Sequence, residues 1–118
     1  MPKRTLPKRR RAAGSEAKSA PVFAALGDPT RLRIVLGLCD SGPMSITRLA
    51  AGSNVTRQAI AKHLRVMEHA GLVRARKLGR ESVWQLKQQG LDDARRYLDL
   101  ISKQWDGALE RLRKFVEA

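Results

Sequence analysis

The stretch that decides the fold lies between Ser45 and Leu86 and reads SITRLAAGSNVTRQAIAKHLRVMEHAGLVRARKLGRESVWQL. Ser45 precedes a short helical pattern and Thr56 precedes a longer one, and both residue types cap helix N-termini. Residues 51–54, Ala-Gly-Ser-Asn, have the composition of a turn. The stretch therefore predicts a helix-turn-helix unit whose second helix spans residues 56–70.

The second predicted helix has an apolar face and a polar face. Helical spacing directs four side chains toward the core, namely Ala59, Ile60, Leu64 and Met67. The opposite face carries Arg57, Gln58, Ala61, Lys62 and Arg65. An α-helix fits the major groove of double-stranded DNA, where polar side chains reach the base edges. We therefore interpret residues 56–70 as a recognition helix, which Gly71 ends.

The segment 72–87 that follows is predicted to be a wing, a hairpin of two short strands over 72–78 and 82–87 around Gly79-Arg80. Apolar and polar residues alternate along both strands. We expect basic side chains on one face and at the tip of the hairpin, namely Arg74, Arg76, Lys77 and Arg80. A helix-turn-helix followed by a basic hairpin is the order of a winged helix-turn-helix. The predicted fold class is mainly α with a small β-hairpin.

Each DNA-facing residue type suits a particular partner. Gln58 can read adenine, whereas Arg57 and Lys62 suit guanine or phosphate. Thr56 can bind phosphate together with the free backbone N–H groups at a helix N-terminus. The wing would lie along the DNA backbone or in the minor groove. Phosphate contacts supply affinity and base contacts supply specificity, so these residues together predict sequence-specific DNA binding.

Upstream of this unit the sequence predicts two helices. Apolar residues at 22–26 indicate a short helix that Gly27 ends. Asp28-Pro29 is a helix start, because Asp caps and Pro fits the first helical position. We expect the helix that follows to be largely buried through Leu32, Ile34, Val35, Leu36 and Leu38. Cys39, at its end, is expected to be an inert core thiol; a redox switch through an intersubunit disulfide is the alternative.

The C-terminal segment is predicted to be one long helix over residues 91–117, capped by Asp92 or Asp93 after Gly90. Its apolar residues recur at alternating steps of three and four, the heptad pattern of helices that pack on a partner. We therefore expect a homodimer built from the N- and C-terminal helices through Phe23, Leu26, Leu91, Ala94, Leu98, Ile101, Trp105, Ala108, Leu112 and Phe115. In the alternative, this helix packs only on its own domain.

The charge is concentrated in two blocks. The chain of 118 residues has a net charge of +13, which implies a polyanionic partner. Residues 57–80 carry seven basic side chains and one acidic side chain, as do residues 1–19, whereas residues 91–118 are neutral. We predict that residues 1–19 form a disordered basic arm ahead of one domain over 20–118; a solvated tail without a role is the alternative.

Composition also argues against other classes of protein. No apolar run approaches the ~18 residues of a transmembrane helix, and the basic N-terminus lacks the apolar region of a secretory signal. We therefore expect no membrane partner and a cytoplasmic, nucleoid-associated protein. One cysteine allows no internal disulfide and fits a reducing compartment. Since no nucleophile–base arrangement or phosphate-cradling glycine loop is present, we expect neither an enzyme nor a cofactor.

The residues from 20 to 118 resemble the ArsR family of bacterial winged-helix repressors. Three segments carry the resemblance: Asp28–Arg33 (DPTRLR), Lys62–Met67 (KHLRVM) and Ala70–Val73 (AGLV). The long last helix with a late Trp is similar to that of one subgroup. The resemblance implies a dimeric repressor that binds an inverted-repeat operator. It also implies DNA-reading positions at Thr56, Arg57, Gln58, Ala61, Lys62 and His63.

The sequence departs from the family pattern in the turn and in the metal sites. Ser53 stands where the family has a large apolar residue, which predicts a looser turn. Asn54 replaces a glycine and is expected to tolerate the left-handed conformation. Many members of the family sense metals through cysteines in the first helix of the helix-turn-helix unit, or through His and acidic residues along the last helix. Neither ligand set occurs here, so we expect a type that does not sense metals.

Two other functions stay open on the sequence. An architectural or weakly specific nucleic-acid protein would use the basic arm and wing, but it would not need Gln58 on the recognition helix. A protein-binding module would use the long heptad helix, although the charge near the wing argues against this as the main role. A repressor of this kind can also respond to a small-molecule inducer, which the sequence does not identify.

Overall fold

The fold was analysed on a computed structural model that describes residue 17 and residues 19–117. Five helices and one hairpin follow in the order predicted. The helices are α1 (19–26), α2 (Pro29–Ser41), α3 (Ile46–Ala51), α4 (Arg57–His69) and α5 (Gln88–Glu117), and the strands are β1 (Val73–Leu78) and β2 (Glu81–Leu86). The predicted fold class, mainly helical with a small hairpin, is confirmed. The basic arm predicted for residues 1–19 falls almost wholly outside the described residues.

Capping side chains explain where α2, α3 and α4 begin. Asp28, Ser45 and Thr56 each have extended backbone angles and accept a hydrogen bond from the backbone N–H three residues ahead. Pro29 occupies the first turn of α2, where a missing N–H costs nothing. These three caps confirm the starts expected from the sequence.

The core lies where α1, α2, α4, β1 and the first turns of α5 meet. Its most deeply buried members come from α4 and the segment that follows it, each at most 1% exposed: Ile60, Leu64, Met67, Leu72 and Val73. Ile34, Val35 and Leu38 of α2 complete the packing from the other side. The recognition helix is therefore the central element of the domain, which fixes the direction of its outer face.

α2 is less buried than its composition predicts. Leu32 and Leu36 are 45% and 58% exposed, and Cys39 is exposed as well. Only the face of α2 that carries Ile34, Val35 and Leu38 packs in the core. The other apolar residues of α2 lie outside the core. The predictions of a largely buried helix and of a core thiol at Cys39 are therefore wrong.

The turn between α3 and α4 is closed by Ser53. Its Oγ donates to the carbonyl oxygen of Ala50 at 3.3 Å and accepts from the backbone N–H of Val55 at 3.2 Å. The large apolar side chain of the family is absent at this position. These two hydrogen bonds hold the turn closed in its place. Asn54 does not take a positive φ, since positive φ in the described residues occurs at glycines alone. The left-handed conformation expected at Asn54 is therefore wrong.

α5 begins earlier than predicted and contains Gly90 within its first turn. A Cβ on Gly90 would overlap the carbonyl oxygen of Gly71 and lie 3.1 Å from its carbonyl carbon. Gly90 is therefore needed for a close backbone approach rather than for a break before the helix. Asp92 and Asp93 do not cap α5, because they accept hydrogen bonds from the Gln88 and Gln89 side chains one turn earlier.

Candidate nucleic-acid interface

The outer face of α4 is presented by a helix fixed at its start and along its inner side. Thr56 Oγ1 accepts from the backbone N–H of Ala59 at 3.1 Å, which sets the first turn. Ile60, Leu64 and Met67 then hold the inner face against the core. A helix anchored in this way can present side chains to a groove without rotating about its own axis.

The predicted reading residues lie on the exposed side of α4. Ala61 and His63 are half-buried, and the remaining members are exposed, namely Thr56, Arg57, Gln58, Lys62 and Arg65. The salt bridges among the described residues all lie in α5, so none neutralises the basic residues of this face. The face combines hydrogen-bonding side chains with uncompensated positive charge, as a surface that meets DNA requires.

His63 has a contact that the sequence did not reveal. Its Nδ1 lies 3.2 Å from Nη1 of Arg31, at the start of α2. The Arg31 Nε donates to the carbonyl oxygen of Ala25 in α1 at 2.7 Å. Arg31 thus connects α1, α2 and α4 at one point. The sequence predicted only a DNA contact for His63 and gave no indication of this contact with Arg31.

One sequence signal could have indicated this connection. Basic residues are disfavoured in the first turn of a helix, because the N-terminal end of the helix dipole is positive. Arg31 occupies that turn of α2, so its presence there indicates acceptors outside the helix. Those acceptors are Ala25 O and His63 Nδ1.

The carboxylate of Asp28 is held in its ionised form by this cluster. The backbone N–H of Arg31 donates to Oδ2 of Asp28 at 3.0 Å. This hydrogen bond, followed by the positive charge of Arg31, holds the pKa of Asp28 below its usual value. The cap of α2 is therefore weakened in acid rather than near neutral pH.

The wing places its basic residues on both faces of the hairpin. Cross-strand pairing sets Arg74 opposite Gln85 and Arg76 opposite Val83, so both arginines lie on one face. Arg76 donates to the Gln85 side chain at 3.1 Å. Lys77 pairs with Ser82 and lies on the other face. Arg74 and Arg76 thus share one face as expected, whereas Lys77 and Arg80 lie toward the tip of the hairpin, and all four side chains are exposed.

The hairpin is short, tightly turned and joined to the rest of the domain. Gly79 has a φ of 63°, which the two-residue turn with Arg80 requires. The backbone of Trp84 exchanges two hydrogen bonds with Met44, at 2.8 and 3.0 Å. These bonds attach β2 to the connection between α2 and α3. Val83 is 4% exposed although it neighbours exposed residues of β2, so burial does not alternate strictly along this strand.

α5 carries a row of apolar residues along one face, and its own domain covers only the first of them. Ala94 is 5% exposed within the core, and Phe23, Leu26 and Leu91 pack against that core. Its own domain thus covers Ala94 and covers Phe23, Leu26 and Leu91 in part. The other members of the predicted interface lie further along α5, and we call them the apolar seam: Leu98, Ile101, Trp105, Ala108, Leu112 and Phe115.

The apolar seam is strongly exposed. Trp105 is 63% and Phe115 is 79% exposed, while Ala108 is half-buried. Leu100, Leu109 and Val116 are exposed beside it and widen the apolar surface. At the base of the seam the rings of Phe23 and Tyr97 meet with centroids 6.2 Å apart. Contiguous apolar surface on this scale marks an interaction site.

The described part of the chain has neither a metal-ligand cluster nor a membrane-spanning helix. Across residues 17 and 19–117, no three His, Cys, Asp or Glu side chains group as metal ligands would. In that same part of the chain, no helix has both the length and the apolar character needed to cross a bilayer.

Comparison with known proteins gives consistent matches. Residues 26–76 match a family described as a helix-turn-helix domain. The HTH-type transcriptional regulator Rv2034 of Mycobacterium tuberculosis is 36% identical over 96 residues, which cover 81% of this chain and 86% of the relative.

Solved structures extend the match to the whole fold. An ArsR-like transcriptional regulator from Rhodococcus sp. RHA1 superposes with a TM-score of 0.78 at 38% identity, over 89% of this chain and 95% of that one. The homodimeric winged helix-turn-helix DNA-binding domain of Mb0332 from Mycobacterium bovis gives a TM-score of 0.62 at 26% identity, over 86% and 90% of the chains. The identities, the coverage and the shared fold agree, and this chain belongs to the ArsR family of helix-turn-helix transcriptional regulators, which bind DNA.

Proposed function

We propose that this protein is a sequence-specific repressor that binds an inverted-repeat operator as a homodimer. The observation that carries the proposal is the exposed outer face of α4. It combines Gln58 with Arg57 and Lys62 on a helix whose inner face is fully buried. Pure attraction to phosphate would not need an amide at the centre of that face, whereas reading a base edge would.

The two basic surfaces have different tasks in this proposal. The start of α4, with Thr56 and Arg57, enters the major groove, where Gln58 reads a base edge. Arg74, Arg76, Lys77 and Arg80 of the wing contact phosphates or the minor groove beside it. The uncompensated positive charge of the wing then supplies affinity that depends on salt, and α4 supplies the preference for one sequence.

The homodimer follows from the apolar seam. A monomer would leave Trp105, Leu112 and Phe115 in water, whereas a second copy of α5 packed along the seam would bury them. Mb0332 from Mycobacterium bovis, which shares the fold, is described as homodimeric. Two recognition helices related by a twofold axis would match an inverted repeat whose half-sites lie about one helical turn apart, roughly 34–36 Å.

The remaining parts of the proposal concern partners and place. We propose a regulator without catalytic activity or a bound metal, located in the cytoplasm on the nucleoid. Its signal would be a small molecule rather than a metal ion, because the described residues offer Arg and hydroxyl groups beside apolar side chains but no grouped metal ligands.

The experiment that tests the proposal is selection from a random-sequence duplex library at about 150 mM salt, a condition that weakens purely electrostatic binding. The full chain is incubated with the library, and bound duplexes are sequenced after each round. An enriched inverted repeat with half-sites one helical turn apart supports a dimeric specific regulator. Strong salt-dependent binding without any enriched sequence would contradict it and favour an architectural DNA-binding protein.

A further inference from the structure

A cleft of about 200 Å³ opens between α2, α3 and the turn that leads into α4. Its apolar lining includes Ile34, Leu49 and Ile60, of which Ile34 and Ile60 are buried. The cleft lies apart from the outer face of α4 and from the apolar seam. The proposed DNA and dimer contacts therefore leave it without a function.

The cleft also has two positively charged side chains. Arg33 of α2 and Arg48 of α3 are exposed and line it from opposite helices. Neither arginine forms a salt bridge with the described residues, whose ion pairs all lie in α5. A guanidinium group matches the planar geometry of a carboxylate and can bind it through two hydrogen bonds.

We infer that this cleft binds a small amphipathic anion, a carboxylate or sulfonate carried on an apolar ring, and that occupancy weakens DNA binding. The ring contacts Ile34, Leu49 and Ile60, and the acid group binds Arg33 and Arg48. An apolar cavity with a few convergent polar groups is the usual design of a small-molecule site. The regulatory half of this inference rests on the function proposed above, whereas the binding half does not.

The cleft is connected to the recognition helix through its walls. Gly52 and Ser53 of the turn line it, and so does Ile60, one turn into α4. The two hydrogen bonds of Ser53, to Ala50 and Val55, fix the angle between α3 and α4. A ring inserted between α2 and α3 pushes on this turn, and the outer face of α4 changes its direction relative to the groove.

Three variants separate the parts of the site. Gly37 lines the cleft within α2, and a Cβ there meets nothing within 4 Å, so Gly37→Leu fills the cleft while it improves the helix propensity of α2. The double variant Arg33→Gln and Arg48→Gln keeps the cavity but removes both charges. Arg95→Gln removes one exposed arginine from α5, outside the cleft, and is the control for general attraction of anions.

Binding is measured first, by calorimetry on the full chain without DNA, with naphthalene-2-carboxylate as the probe and uncharged naphthalen-2-ylmethanol as its counterpart. Thermal unfolding verifies that each variant is folded. We expect the double Arg variant to bind the carboxylate at least tenfold more weakly but the alcohol unchanged. Gly37→Leu should lose both, and Arg95→Gln should bind both as the parent does. Equal carboxylate binding by the parent, the double Arg variant and Gly37→Leu would overturn the inference, as would no binding to the parent.

The second measurement titrates the probe into the protein on its selected operator. We expect the operator Kd of the parent to rise at least fivefold, and that of Gly37→Leu to stay unchanged. An unchanged operator Kd in the parent would overturn the regulatory half. A tenfold loss of DNA affinity in the double Arg variant without probe would also overturn it, since the arginines would then be phosphate contacts. Failure to select any operator would contradict the proposed function, whereas probe binding would be unaffected.

Discussion

The Arg31 guanidinium lies 3.2 Å from Nδ1 of His63, which joins the first turn of α2 to the middle of the recognition helix. The same guanidinium donates to Ala25 O in α1 at 2.7 Å. One side chain therefore fixes the position of α4 relative to the two helices before it. The direction of the outer face of α4 depends on this position, although Arg31 itself is not part of that face.

Replacement of Arg31 by Ala should destabilise the fold. The change removes two charge-assisted hydrogen bonds, each of which contributes about 1.5–3 kcal/mol in proteins. Because Arg31 is only half-buried and water replaces part of the lost interaction, we expect less than the sum of the two bonds, about 1.5–3 kcal/mol in total, from urea unfolding followed by circular dichroism. Arg33→Ala, two residues away and exposed, is the matched control and should change the unfolding free energy by less than about 0.5 kcal/mol. Equal effects of the two changes would contradict the structural role of Arg31.

The Asp28 cap predicts how stability depends on pH. The pKa of Asp28 is lowered in the folded protein from its ordinary value of 3.8, first by the Arg31 N–H and then by nearby positive charge. A lowered folded-state pKa contributes stability that is present above the unfolded pKa and is lost as the pH falls through the folded one. Asn at this position still caps but does not titrate.

The unfolding free energies of the parent and of Asp28→Asn should therefore run parallel above about pH 5 and converge below about pH 3.8. Chemical unfolding at a series of pH values measures both curves. Asp40→Asn, an exposed change at the other end of α2, should leave the shape of the curve unaltered. A constant difference between the parent and Asp28→Asn across the acidic range would show that ionisation of Asp28 does not support the fold.

Alanine substitutions at two glycines should change stability in opposite directions, because Gly90 lies against Gly71 whereas Gly37 faces open space. Gly90→Ala places a Cβ against the Gly71 carbonyl, and overpacking of this kind costs about 1–3 kcal/mol or more because backbone must move. Gly37→Ala, in open space within α2, should instead stabilise by about 0.5–1 kcal/mol. Thermal unfolding distinguishes them, and a neutral Gly90→Ala would refute the close approach.

The division of tasks between α4 and the wing predicts different DNA phenotypes. Gln58→Ala should cost about 1–3 kcal/mol on the operator and little on random duplex. Arg80→Ala should weaken binding to both and reduce the salt slope by about one. Fluorescence anisotropy on both duplexes at several salt concentrations provides the comparison. If Gln58→Ala weakened binding to both equally, the reading face would be assigned wrongly.

The apolar seam predicts the oligomeric state. Trp105→Glu puts a charge where a second copy would bury an indole, and loss of a central anchor costs at least about 2 kcal/mol of association free energy. We expect sedimentation equilibrium to give a dimer for the parent and a monomer for this variant. Leu36→Glu changes a residue that is 58% exposed, close to the 63% of Trp105, but lies on α2. It should leave the dimer intact, and the same result for both variants would exclude the seam as the interface.

The starts of α2, α3 and α4 were predictable from the sequence because caps act within three residues. Asp28, Ser45 and Thr56 all accept the hydrogen bonds that their positions indicate. The outer face of α4 was predictable as well, since helical spacing alone decides which side chains share a face. The end of α4 followed from Gly71, whose φ is 83°.

Contacts between distant segments were not predictable from one sequence. Gly90 has the local appearance of a break, yet its meaning depends on Gly71, nineteen positions earlier. The partner of His63 lies 32 residues away. The exposure of Leu32 depends on which stripe of α2 meets the core, and composition does not contain that information. In each case the neighbour that decides the outcome lies outside the local pattern.

The contact between Gly71 and Gly90 gives α5 the properties of a lever. It sets the backbone just after α4 directly against the first turn of α5, with no side chain between them to absorb movement. From Gly90 to Glu117 the helix extends about 40 Å, so a tilt of about 5° at the contact moves its far end by about 3.5 Å. In the proposed homodimer, a shift of a few ångströms between the C-terminal ends of the two α5 helices would turn each α4 by only a few degrees. The distance between the two α4 helices of that dimer would therefore depend closely on how its C-terminal helices pack.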